Sequence, residues 1–314
     1  MAVSTYDRCA SLLALLDALE GQTLDRSRFE VVIADNGSRD GTASALAEAV
    51  ARRPLQLRVV TLDANQGPAG GRNAAWRAAS APVVAFTDDD CCPEPGWLEE
   101  GLAAMEADGP CVAVGRTGPP PADAHLLGLP FIRVVRNDDA SFFATCNVFY
   151  RRDDLEAVAG FDETFRTPAG EDTDLGLRIR ALGRPARFVA EASVHHPVRP
   201  PSFRATLRET VRWTGIPRVV ARHPSVRDDL LHHRVFWKRS HPTALLAVVG
   251  LALLPRSRVG ALLLAPWLYH RVHTSPACPG PRRRVLALPG TFVVDVLEVA
   301  VMLRGSLRER TLVL

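Results

Sequence analysis

The sequence predicts an α/β domain with a mostly parallel central sheet over residues 1–198, followed by a helical C-terminal region. Three observations carry that expectation. Short apolar runs alternate with helical patterns at intervals too short for an antiparallel sandwich, as in a sheet with right-handed crossovers. Several of these runs close in polar loops holding Asp or Asn, and ligands of such sheets bind beyond the carboxyl ends of the strands. The densest loop holds Asp88-Asp89-Asp90, three carboxylates that repel one another unless a cation sits among them.

Taken in order, Ala2 to Arg8 is too short for a full buried strand, and a strand is expected before it. Leu12, Leu13, Leu15, Leu16 and Leu19 then have the spacing of an amphipathic helix. Phe29 to Asp35 reads as a buried parallel strand ending in Asp35-Asn36-Gly37-Ser38-Arg39-Asp40-Gly41-Thr42, with a helix over 43–51. Leu57–Leu62 is the next strand, followed by Asn65 to Asn73 and a helix over 74–79. Val83–Thr87 is a further strand leading into the acidic triplet, and 97–107 a helix. Gly118 to Pro121 breaks the pattern, so 118–140 is expected as an irregular loop or connection. A strand over 144–150, a helix over 152–159 stopped at Gly160, a helix over 171–183 with an acidic first turn, and strands at 187–190 and 193–195 complete the domain.

The remaining chain divides into a basic amphipathic connector, 199–240, and a hydrophobic helical region, 241–314. Phe203, Leu207 and Val211 form an apolar stripe beside Arg204, Arg208 and Arg212, which suits either an anionic membrane surface or an ordinary solvated helix. Thr243–Leu254 and Val259–Tyr269 are almost uncharged, yet each is about half the roughly 20 residues needed to cross a bilayer. They suit a re-entrant hairpin or interfacial helices. Val285–Leu303 is longer but carries Asp295 and Glu298, which are expensive in lipid. A buried soluble core would explain all three; the flanking arginines 282–284, 304, 308 and 310 favour membrane association.

The net charge of +3 hides a division, because residues 1–198 carry 19 basic and 29 acidic side chains whereas 199–314 carry 19 and 6. The C-terminal third is the part that should seek anions. Lys238 is the only lysine among 38 basic residues, which points to a coding bias towards arginine. The six cysteines, Cys9, Cys91, Cys92, Cys111, Cys146 and Cys278, have no CxxC or disulfide-framework spacing. With no basic-then-apolar N-terminal signal, the expected location is the cytoplasmic face of the cell membrane. Cys91-Cys92 lacks partners at ligand spacing, which argues against a thiolate zinc site. Nucleic acid is not an expected partner, because the basic stripe lacks interleaved aromatics and the first domain is acidic.

Chemically, a metal held by Asp88 and Asp90 needs further oxygens, and phosphates suit Mg²⁺ or Mn²⁺. A carboxylate from a separate element, Glu171-Asp172, can act as general base, although the same pair at a helix start is also simple dipole complementation. In order along residues 3–196, the chain resembles inverting glycosyltransferases of family 2, with their GT-A nucleotide-sugar-binding fold. The resemblance rests on Ser4-Thr5-Tyr6-Asp7-Arg8, Asp35 through Thr42, Asn65-Gln66-Gly67 through Arg72-Asn73, Asp88-Asp89-Asp90, Gly160-Phe161-Asp162-Glu163 and Glu171-Asp172-Thr173-Asp174-Leu175. It implies that Thr5 and Tyr6 line the base pocket, Asp35 accepts from the nucleobase imide, and Arg72 approaches the base or diphosphate. Asp88 and Asp90 would hold ribose and metal, Asp172 would be the base, and His195, or alternatively His196, would complete the metal site. Asp89 is expected to matter least of the three. Glu209-Thr210-Val211-Arg212-Trp213 departs from the QxxRW pattern of processive members by its Glu.

The expected activity is therefore metal-dependent transfer of a sugar from a UDP-, GDP- or dTDP-sugar to a hydroxyl of a cell-envelope glycan, glycolipid or lipid carrier at a membrane surface. The alternatives are a sugar nucleotidyltransferase, which would require a Gly-rich N-terminal loop with a catalytic Lys, and a catalytically degenerate membrane-attached scaffold.

Overall fold

A computed structural model describes residues 1–106, 111–274 and 281–314. Ala107, the expected end of a helix, and Cys278 lie outside the described residues. The chain divides into two compact units, Met1–Pro120 with Val134–Pro197, and Pro121–Arg133 with Val198–Leu314.

The first unit contains strands β1 (Ala2–Thr5), β2 (Val31–Asp35), β3 (Leu57–Thr61), β4 (Val83–Phe86), β5 (Cys92–Pro93), β6 (Val112–Gly118), β7 (Val148–Arg151) and β8 (Ala186–His195). Its helices are α1 (Cys9–Glu20), α2 (Thr42–Arg52), α3 (Gly67–Ala78), α4 (Trp97–Glu106), α5 (Arg152–Ala157) and α6 (Glu171–Arg180). All strands join one sheet of order β3-β2-β1-β4-β7-β6-β8-β5. The pairs β1–β2, β2–β3, β1–β4 and β6–β8 are parallel; β7 runs antiparallel to both its neighbours, and the two-residue β5 runs antiparallel to β8.

Several expectations change. Ala2–Thr5, judged too short, is a central strand, paired with β2 on one side and β4 on the other. Four residues suffice because helices cover both faces and leave Ala2 and Val3 fully buried. Strand β6 had no counterpart in the expected order, since its apolar segment is short and abuts Gly118-Pro119-Pro120-Pro121. The two expected strands at 187–190 and 193–195 are one ten-residue strand, irregular opposite Gly115 and Thr117. The strand expected to begin at 144 begins at Val148.

Apolar side chains from alternate strand positions fill a core on each face of the sheet. Val3, Ile33, Leu12, Leu16, Trp97 and Phe149 lie on one side, and Val32, Trp76, Phe86, Phe161 and Leu175 on the other. The carboxyl ends of β1 and β2 lie side by side, since Thr5 pairs with Asp35, whereas β4 ends opposite the start of β1, with Phe86 paired to Ala2, so the residues that follow β4 reach Thr5. That register assembles the polar loops.

The second unit is helical: α7 (Phe203–Thr210), α8 (Ile216–Arg222), α9 (Val226–Leu230), α10 (Ser240–Leu253), α11 (Val259–Tyr269) and α12 (Pro281–Glu309). The Ser202 hydroxyl caps α7 by accepting from the Ala205 amide. The stripe expected as one helix past Val211 tightens into a 3₁₀ turn over Val211–Gly215. Among the described residues, Arg282–Glu309 is the one helix long and apolar enough to cross a membrane by length and composition.

Candidate active site

The acidic triplet follows β4 directly, and its three carboxylates face different partners. Asp88 Oδ1 accepts from Arg72 Nη2 at 2.9 Å. Asp89 accepts from the Thr5 hydroxyl at 2.8 Å and from Arg8 Nη1 at 2.7 Å. Asp90 accepts from the same Arg8 nitrogen at 2.9 Å and lies 3.6 Å from His196 Nε2. The repulsion inferred from sequence is thus partly relieved by two arginines. Burial alone would raise Asp88, but the charge and hydrogen bond of Arg72, with help from His196 and Arg8, hold it below its ordinary value. Burial pushes Asp89 up despite Arg8.

Arg72 reaches this point because α3 packs very close to β1. A Cβ on Gly71 would stand 2.0 Å from Ser4 Oγ, so a side chain there would force the helix away. Its other nitrogen, Nη1, donates to Glu171 Oε1 at 2.8 Å. One guanidinium therefore joins the acidic triplet to the start of α6, and its planar fork suits that double contact. Glu171, Asp172 and Asp174 occupy the first turn of α6, where the helix dipole favours negative charge. Gly170 caps that turn at φ 95°, a left-handed conformation that favours glycine. Burial, then the charge of Glu171, push the Asp172 carboxyl up to about 7, against Arg72 and a hydrogen bond from the Thr173 amide.

The other loops are tied to one another. Asn36 Nδ2 donates to the Gly67 carbonyl at 2.9 Å and its Oδ1 accepts from the Gln66 amide at 2.9 Å, linking the loops after β2 and β3. Asn73 Nδ2 donates to the Phe161 carbonyl and to Glu163 Oε1, both at 2.8 Å, and its Oδ1 accepts from the Phe161 amide at 2.9 Å. This fixes the Gly160–Glu163 turn against α3. Asp7 Oδ1 accepts from the Arg39 amide at 2.6 Å, closing the first loop on the second. Asp35, buried at the end of β2, accepts from the Ser38 amide at 3.0 Å, while Tyr6 is exposed.

Asp88, Asp90, Cys91 and His196 offer ligand atoms within 4.8 Å of one another. Two carboxylates and an imidazole fit a divalent cation that accepts oxygen and nitrogen donors. His196 Nδ1 lies 3.1 Å from the Pro197 carbonyl, which can only accept, so Nδ1 serves as the donor there and Nε2 is the nitrogen that faces Asp90 and would be offered to a cation. Burial, then the charge of Asp88, push the Cys91 thiol well up.

His195 is not part of this cluster. Its Nε2 pairs with Glu94 Oε1 at 2.9 Å, and the residue beside Asp90 is His196. Side chains alternate along an extended chain, so neighbouring histidines face opposite ways. The Thr5 hydroxyl is engaged by Asp89. Arg8 and the Arg72–Glu171 pair carry roles that sequence reasoning did not assign; Arg8 stood inside a recognised loop, but its partners lie more than 80 positions away. Asp89, expected to matter least, is the buried carboxylate that fastens the triplet to β1.

The profile of glycosyl transferase family 2 matches residues 1–158, and that of glycosyl transferase family group 2 matches 83–274. The chain belongs to glycosyl transferase family 2. It is 28% identical over 204 residues to the glycosyltransferase AglE of Haloferax volcanii, covering 63% of this chain and 66% of AglE. It is 28% identical over 271 residues to the validoxylamine A glucosyltransferase of Streptomyces hygroscopicus subsp. jinggangensis, covering 76% of this chain and 62% of the relative. This family 2 chain thus spans about two thirds or less of those relatives' lengths. Its fold is similar to that of the mannosyltransferase PcManGT from Pyrobaculum calidifontis, solved in complex with GDP-Man and Mn²⁺. The TM-score is 0.67 at 20% identity, over 96% of this chain and 85% of that one. It is also similar to Staphylococcus aureus TarS 1–349 in complex with UDP, with a TM-score of 0.52 at 17% identity over 99% and 91%. The GT-A architecture expected from the motifs is the one found.

Proposed function

We propose that this chain transfers one sugar, with inversion, from a nucleoside-diphosphate donor to a hydroxyl of a cell-envelope glycan, glycolipid or lipid carrier at the cytoplasmic face of the membrane. The observation that carries the reading is the Arg72 bridge, which ties the Asp88 carboxylate to Glu171, the residue next to an elevated Asp172. Base and diphosphate site are thereby mechanically joined, as one displacement requires.

In this reading Asp172 removes the proton from the acceptor hydroxyl as its oxygen bonds to the anomeric carbon. The bond from that carbon to the diphosphate oxygen breaks on the opposite face, and its electron pair leaves with the diphosphate. Asp88, Asp90 and His196 would hold Mn²⁺ or Mg²⁺; when bound, the ion neutralises charge on the leaving diphosphate. One imidazole among the donors favours Mn²⁺ over the more strictly oxygen-seeking Mg²⁺. Asp35 and Tyr6 remain the proposed contacts to the base. Thr5 supports the pocket through Asp89, and Arg72 orients the carboxylates on either side.

The test is Asp172→Asn, which removes the base while keeping its size. Donor binding, read as a thermal shift with UDP-, GDP- and dTDP-sugars plus Mn²⁺, should persist, and transfer should fall by the roughly 10²–10⁴-fold typical of general-base loss. Transfer at the wild-type rate would refute the base assignment.

A further inference from the structure

We propose that α10, α11 and the start of α12 form a surface that lies flat in one leaflet of an anionic bilayer without crossing it. This rests on the membrane placement proposed above and specifies its mode. The two helices pack at very close range, since a Cβ on Gly250 would stand 2.7 Å from the Gly260 carbonyl oxygen and one on Gly260 2.5 Å from that of Gly250. At 1.5 Å per residue, the 14-residue α10 reaches only about 21 Å, short of the roughly 30 Å of a hydrocarbon core.

Helix α12 is long enough to span, but its partners hold it elsewhere. Its two central acids are neutralised inside the unit. Asp295 is bound by Arg271, by Trp267 Nε1 at 2.8 Å and by the Ser240 hydroxyl at 3.1 Å. Glu298 is bound by Lys238 at 2.5 Å, with His241 at 3.3 Å. Towards its C-terminal end, a Cβ on Gly305 would meet Pro217 at 2.9 Å, and Glu309 pairs with Arg218 at 3.1 Å. A helix packed on charged helices over its second half cannot place that half in lipid.

What remains uncovered is apolar. Leu246, Val249, Leu253, Val259, Leu262 and Leu286 are all exposed, Leu262 at 72% and Leu286 at 82%. Exposed arginines bracket the patch, with Arg256 and Arg258 in the α10–α11 turn and Arg282 and Arg283 at the start of α12. A hairpin inserted tip first would bury Arg256 and Arg258, whereas one lying in the interface keeps every guanidinium at headgroup depth. Charge decides the occupant: residues 199–314 carry 19 basic against 6 acidic side chains, which attracts anionic lipid and repels a second copy.

The experiment adds the full chain, with a C-terminal epitope tag, to preformed vesicles of phosphatidylcholine alone or with about one third phosphatidylglycerol. The expected result is co-sedimentation with the anionic vesicles only, weakening with salt. R256E/R258E should weaken partitioning about tenfold or more, and L246S/L262S should do likewise. Protease added outside should remove the tag from bound and free protein alike. Three results would overturn the inference: a tag protected in bound protein, which means the chain spans; equal binding to neutral vesicles that survives both variants; and self-association without vesicle binding. Donor-induced thermal shifts, recorded on every variant, confirm that the fold is intact. They also separate the two readings, because loss of donor binding in the wild type would sink sugar transfer and leave the membrane mode standing.

Discussion

Replacing Arg72 with Met removes the guanidinium that neutralises two acids while keeping an unbranched side chain of similar reach. Glu171 has a side chain only 3% exposed and Arg72 one only 11% exposed, so the pair sits at the buried end of the salt-bridge scale rather than the surface end. Leaving one member of such a pair uncompensated costs about 3–5 kcal/mol, against about 0–1 kcal/mol for an exposed pair. The expected loss in Arg72→Met is therefore about 3 kcal/mol or more by urea denaturation at pH 7. The double variant R72M/E171Q should regain part of it, because the more buried acid is then neutral and only Asp88, which Arg8 and His196 still favour, has lost its arginine. The loss should also shrink in acid. Arg72 holds Asp88 below its ordinary value, so that part of the stability is present above about pH 4 and disappears as pH falls through the lowered value. A loss below about 1 kcal/mol, or a double variant no better than R72M, would refute the bridge as a structural element.

Asp172, held up at about 7, should give transfer a rate that rises through about pH 7 as the carboxylate forms; a rate already flat from pH 5 upward would contradict this. His196→Ala should weaken Mn²⁺-dependent donor binding about tenfold or more while His195→Ala leaves it unchanged, as titration calorimetry would show. A Cβ on Gly115 would stand 2.2 Å from the Ala192 backbone carbonyl, so Gly115→Ala should lower stability by about 1–3 kcal/mol, measured by thermal melting.

The alternation of buried strands and helices up to β4 was legible because β2, β3 and β4 are short, apolar and bounded by turn residues. Strand β6 was not, because Val112-Ala113-Val114 alone carries no more signal than a loop would. The acids Asp88, Asp90 and Asp172 were legible as types and spacings. What bound them was not, since Arg72 lies 99 positions from Glu171 and no local pattern marks a contact at that distance. The choice between His195 and His196 depends on which way the chain faces as it leaves β8, a one-residue difference that flips the side chain. In the helical unit, Asp295 and Glu298 read as obstacles to burial; their partners, Arg271, Lys238 and His241, arrive from other helices.

By itself the sequence determined the family, the α/β class and the carboxylates proposed for the chemistry, because these follow from local periodicity and from motifs written in consecutive residues. Only the tertiary structure decided which arginine neutralises which acid, which histidine faces Asp88 and Asp90, and that the two acids of α12 are paired inside the protein. Each of those depends on the directions in which side chains point across strands and helices that are distant in the chain but adjacent in space.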